Sequence, residues 1–163
     1  MPMTQVKGQL RETAERLATG AHAGWNDEGL TELFGYRPPE GETVIAGAGL
    51  PGALAFRGEA RMPEAALRHF RGEPGRNDRG KLFRRIAATR INELGVAQDK
   101  TLRAIEVCVP LALEAMVEWI AGNPPRQDWV RLLDAACAAT TAFGKLKADG
   151  YGRAIASVAE PRS

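Results

Sequence analysis

The chain is poor in the residues that most often announce a chemistry. Its 163 residues hold two cysteines and two histidines. Cys108 and Cys137 lie far apart with no metal-ligand spacing, which excludes a disulfide framework and a zinc-finger pattern and leaves two reduced core thiols. His22 and His69 are isolated, and no Ser-His-Asp order, His-rich ligand spacing or close carboxylate pair accompanies them. No cofactor or metal is expected. Long hydrophobic runs are also missing. The most apolar stretch, Ile105 to Gly122, carries Glu106, Glu114 and Glu118, so it is no membrane span. No charged-then-apolar leader opens the sequence, and a cytoplasmic location is expected. Repeats and low-complexity tracts are absent, and the 26% charged and 44% hydrophobic composition is that of an ordinary globular domain.

Charge is present, and it is unevenly placed. The formal net charge is only +2. Between Arg57 and Arg90, however, ten basic residues face four acidic ones, a surplus of six that leaves the rest of the chain at −4. Arginine outnumbers lysine, which suits planar recognition of phosphates. A second cluster, Lys145, Lys147 and Arg153, is interleaved with Gly144, Gly150, Tyr151 and Gly152. Three glycines, three cations and an aromatic in ten residues suit a loop that wraps a nucleic-acid backbone, with exposed N–H groups and cations on phosphates and a ring for stacking.

Hydrophobic periodicity gives an α+β order. Val6, Leu10, Ala14 and Leu17 predict a helix from Thr4 to Ala18, with Thr4 as its cap and Gly8 as a weak point. A loop with His22 and Trp25 follows, Trp25 being a candidate stacking residue, and then a short apolar turn from Leu30 to Phe34. Thr43 to Ala46 and Ala53 to Met62 read as strands, Glu64 to Phe70 as one or two helical turns, and Gly72 to Gly80 as an exposed loop. Thr101 to Val109 and Leu111 to Ile120 read as longer strands, the second also open to a helical reading because Ala, Leu, Glu and Met favour helices. Asp128 to Phe143 is the clearest helix, with Asp128 as its cap, and Arg153 to Ala159 a last strand. Trp119 and Trp129 read as core or half-core. The expected architecture is a single domain over residues 1–163, helices on one face of an antiparallel sheet, with a basic mobile insertion at about 63–90.

Gly47-Ala48-Gly49-Leu50-Pro51-Gly52 spells the glycine pattern of a dinucleotide loop. The segment after it alternates like a strand instead of opening a helix, so a plain turn is expected.

Several segments, in order, resemble one family. Pro2 to Arg11 resembles the P-G-S-S-L-K-G-x-L-R segment of the RAMP superfamily of CRISPR-associated proteins, with Met3, Thr4 and Gln5 in place of the glycine and the two serines. Leu33-Phe34-Gly35 resembles the turn that follows, and Gly52 to Arg61 the next strand. Thr89 to Ala97 resembles the family's R-T-R-I-D-x-x-T-G-x-A segment. Leu102 to Val109 resembles its L-x-x-x-E-x-V-P strand, with Glu106 and Pro110 in place. Gly144 to Arg153 resembles its C-terminal glycine-rich loop.

The resemblance implies a ferredoxin-like (RRM-like) fold and a non-catalytic backbone subunit of a type III-like CRISPR effector in antiviral defence. Such a subunit holds guide RNA, and possibly target RNA, beside related subunits. It implies RNA contacts from Lys7, Arg11, Arg84, Arg85, Arg90, Lys145, Lys147, Tyr151 and Arg153. Family members place a β-strand and an aspartate-bearing loop before the first motif, which here stands at residue 2. The first strand is therefore expected to come from another polypeptide. Two other readings stand beside this one. The first is a metal-independent RNA endonuclease of the same superfamily, with His22 as general base. The second is a structural module that completes a partner's sheet.

Overall fold

The computed structural model describes residues 1–36, 50–71, 78–89, 92–97, 101–120, 127–144 and 151–159. The chain is α+β. In order it forms α1 (Met3–Thr19), α2 (Asp27–Phe34), β1 (Leu54–Phe56), α3 (Glu64–Arg71), β2 (Phe83–Ala88), β3 (Arg103–Cys108), β4 (Val117–Trp119) and α4 (Trp129–Ala139), with short 3-10 turns at His22–Gly24 and Asp78–Leu82. Two compact units divide it. One comprises Met1–Ala60 and Ala115–Ser163, the other Arg61–Glu114. The second holds all the charged residues of the basic stretch but Arg57 and Glu59 and continues through β3.

The first unit is built on α1. Its period buries Met3, Leu10, Thr13 and Ala14. Thr4 lies inside the helix and does not cap it. The cap position is Pro2, whose carbonyl accepts from the N–H groups of Gln5 and Val6. Leu30 to Phe34, expected as a turn, is the second half of α2. Asn26 starts that helix by accepting from the Gly29 N–H at 2.8 Å, and Asp27 and Glu28 favour the positive end of the dipole. α4 supplies Leu132, Leu133, Ala136 and Cys137 to the same core. It ends at Ala139, short of Phe143, and Asp128 makes no side-chain cap bond. The Asp128 carboxylate instead accepts from Arg131 at 3.2 Å. Trp119 and Trp129 are half-buried against that core, their rings 6.1 Å apart.

β1 pairs antiparallel with β4, Leu54 opposite Trp119 and Phe56 opposite Val117. Of the longer strands expected at Ala53 to Met62 and Leu111 to Ile120, these three-residue ladders and two isolated bridges, Pro2 with Glu59 and Arg61 with Glu114, are what forms among the described residues. Arg153 to Ala159 is not a strand. Arg153 makes a single bridge to Ala142, and residues 154–159 belong to no ladder among the described residues. Trp25 is not a stacking residue: it is 2% exposed and its indole N–H donates to the Leu132 carbonyl at 3.1 Å. Thr43 to Ala46 lies outside the described residues.

The second unit contains α3, the 3-10 turn and an antiparallel ribbon of β2 and β3, with Arg85 opposite Glu106 and Ile86 opposite Ile105. β2 was not anticipated: the paired Arg84 and Arg85 break the apolar alternation that marks a strand. Cys108, expected in the core, is exposed on β3, whereas Cys137 is buried. The sheets are thus two separate two-stranded ladders among the described residues.

Candidate nucleic-acid interface

α1 carries Lys7 and Arg11 one turn apart. Lys7 lies with its Nζ 5.9 Å from the centroid of the Phe56 ring, so β1 supplies an aromatic face beneath the ammonium. Partial burial pushes the Lys7 pKa below its usual value, and the neighbouring Arg11 charge adds to this. An anion arriving here would relieve both effects. Arg11 is committed differently: its Nε lies 2.9 Å from the Glu15 carboxylate and its side chain is only 17% exposed. Lys7 is therefore the readier of the two for an incoming phosphate. Gly8, between them, has nothing within 4 Å of where a Cβ would stand, which leaves the first turns open to a close-approaching backbone.

The glycine-rich loop starts and ends on a fixed base. Phe143 N–H donates to Gly152 O at 2.8 Å and Ala154 N–H to Thr141 O at 3.0 Å, which brackets the bridge between Ala142 and Arg153. Gly152 has φ +70° and a Cβ there would run into the Phe143 carbonyl, so glycine is required on both counts. This base is tied to α1. The Thr140 and Thr13 hydroxyls are hydrogen-bonded at 3.0 Å and buried, Thr140 also donates to the Ala136 carbonyl, and Arg16 donates to Thr13. The loop that bears Arg153 and Tyr151 thus springs from beside the middle of the helix that bears Lys7 and Arg11. Tyr151 is half-buried in the turn and Arg153 is exposed. Lys145 and Lys147 lie outside the described residues.

In the second unit the ribbon sends alternate residues to opposite faces. Arg84, Ile86 and Ala88 share one face with Arg103, Ile105 and Val107, while Arg85 lies on the other with Phe83 and Glu106. Arg84, Arg85 and Arg103 are all exposed. Arg103 is a cation that the sequence did not single out, although its position opening an alternating strand could have marked it. Phe56 was missed because a ring on a strand reads as core. Arg90 lies outside the described residues.

Other candidates contract. Gly52 is not a phosphate loop's glycine leading into a helix. It presses against the end of α2, where a Cβ would meet the Leu33 carbonyl, and β1 follows it. Gly47 to Gly49 lie outside the described residues. His22 is exposed in its 3-10 turn, and His69 lies in α3. Among the described residues no group of three or more His, Cys, Asp or Glu is placed to hold a metal ion. No helix among them is long and apolar enough to cross a membrane. No protein-family model matches the chain, and no curated protein matches it.

Proposed function

We propose that the chain is a guide-RNA-binding backbone subunit of the RAMP type. It acts in a type III-like CRISPR ribonucleoprotein, beside related subunits, with a ferredoxin-like fold and no cleavage chemistry of its own. The observation that carries this reading is the anchoring of the Arg153-bearing glycine loop beside α1, the helix of Lys7 and Arg11. A buried hydroxyl pair, Thr13 on α1 and Thr140 just ahead of the loop's base, links the two elements. Cations at a glycine-bearing helix start and on a glycine-rich loop suit a phosphate backbone and carry no base-reading pattern, so binding should be general in sequence and steep in salt. The exposed arginines of the ribbon supply a further cationic surface in the second unit.

The test is RNA binding by the assembled ribonucleoprotein across a salt series, with Lys7→Ala and Arg153→Ala combined. Affinity should fall for every guide sequence tested, and the slope of log affinity against log salt should flatten by about 1–2. An unchanged affinity and slope would remove the reading.

A further inference from the structure

The segment that leaves the glycine loop, residues 154–159, packs on the first unit without a ladder. Its residues alternate half-buried and exposed. Ala156 and Val158 lie against the core that holds Leu132, Leu133 and Cys137, and Ile155 is fully exposed. Its N–H groups are tied to described residues at the two ends. Ala154 N–H donates to Thr141 O at 3.0 Å, just past the end of α4. Val158 N–H donates to the Asp134 carboxylate at 2.9 Å, in the middle of α4. The segment therefore runs back along α4 as a strap. Between the two ties, no described residue accepts from the N–H groups of Ile155, Ala156 or Ser157.

A strap fastened in this way opens by local unfolding at low cost, because its apolar contact comes from one alanine and one valine. Asp134 is exposed, and a carboxylate accepting a backbone N–H makes a charge-assisted bond, stronger than a neutral one. The bond matters to the loop. Arg153 is the residue before the strap. Its neighbour Gly152 accepts from the Phe143 N–H, and its other neighbour Ala154 donates to Thr141. With the strap open, the downstream stem of the loop swings on the single Ala154 tie. With it closed, both stems are fixed to α4.

We propose that Asp134 is a positioning residue for the RNA site: its carboxylate latches residues 154–159 along α4, and the closed strap holds Arg153 in place for the RNA backbone. The latch stands on the hydrogen bonds above, and the positioning role rests on the subunit reading. By reciprocity, bound RNA favours the closed strap as much as the closed strap favours RNA.

Amide hydrogen exchange and RNA affinity of the assembled complex test this with two variants. Asp134→Ala removes the acceptor, and Asp134→Asn keeps one without the charge. In Asp134→Ala the Val158 amide should exchange roughly tenfold faster, and RNA affinity should fall by about threefold to tenfold. Asp134→Asn should exchange near the native rate and bind RNA at least as tightly as the native complex. Loss of an acidic charge by itself strengthens RNA binding in both variants, so the fall in Asp134→Ala separates the latch from an electrostatic effect. Unchanged Val158 exchange in Asp134→Ala would overturn the latch. Faster exchange with RNA affinity unchanged or raised, while Arg153→Ala weakens it, would overturn the positioning role. Were Arg153→Ala itself without effect, the subunit reading would fall and the positioning role with it, and the Val158 exchange would still decide the latch.

Discussion

The two units bury their side chains very differently. In the first, Leu10, Ala14, Leu33, Leu54 and Leu132 are 3% exposed or less, and the polar groups among them are satisfied: the Trp25 indole by a carbonyl, the two threonine hydroxyls by each other. In the second, no described side chain is buried, and Leu94, Leu102, Phe83 and Ile86 are exposed along with the arginines. A two-stranded ribbon with both faces in water is marginally stable by itself. The difference teaches that the apolar burial that stabilises the chain resides in the first unit. The conspicuous +6 stretch lies mostly in the unit without a core.

The largest expected contrast is in the apolar residues. Leu132→Ala should lower unfolding stability by about 2–5 kcal/mol, because the site is closed on all sides. Ile86→Ala should cost about 1 kcal/mol or less. Urea unfolding of both variants checks this, and comparable losses would erase the distinction. Next comes Trp25→Phe, which removes the buried indole's hydrogen bond to the Leu132 carbonyl and should cost about 0.5–1.5 kcal/mol while RNA affinity stays unchanged. A fall in RNA affinity at constant stability would return Trp25 to a stacking role.

The thiols give the finest contrast. Cys108 in the second unit should react with a thiol reagent at neutral pH in the folded protein, and Cys137 should not. Burial, with the Asp134 charge adding to it, raises the Cys137 pKa from 9.0 to about 11. The folded state therefore holds its proton longer than the unfolded chain, and the thiol's contribution is complete below about pH 9 and is lost as pH rises towards 11. Unfolding at a series of pH values should show that decline in the native chain and a shallower one in Cys137→Ala.

Legibility in the sequence follows the same division. α1 and α4 could be read because a helix buries a stripe whose period depends on its own residues alone. α2 escaped because eight residues behind an asparagine cap look like a turn until Leu33 and Phe34 find their core. Strand lengths failed for a physical reason. Leu111 to Ile120 alternates throughout, but a ladder is only as long as its partner, and Leu54–Phe56 offers three residues. Residues 154–159 do alternate in burial, yet alternation cannot supply a neighbouring strand. In the site, Arg153 could be proposed from glycine and charge, whereas Lys7 came with the family resemblance. The Phe56 ring under Lys7 and the Thr13 to Thr140 link under the loop depend on tertiary contacts between residues far apart in the chain. Arg11, which the family resemblance alone marked, is paired with Glu15, a contact its residue type does not announce.

The central claim is that α1 and the glycine loop hold an RNA backbone. Its most direct measurement is the salt dependence of RNA affinity in the assembled complex, native against Lys7→Ala with Arg153→Ala. The account predicts weaker binding for all guides and a slope flatter by about 1–2. An affinity and slope identical to those of the native complex would contradict it.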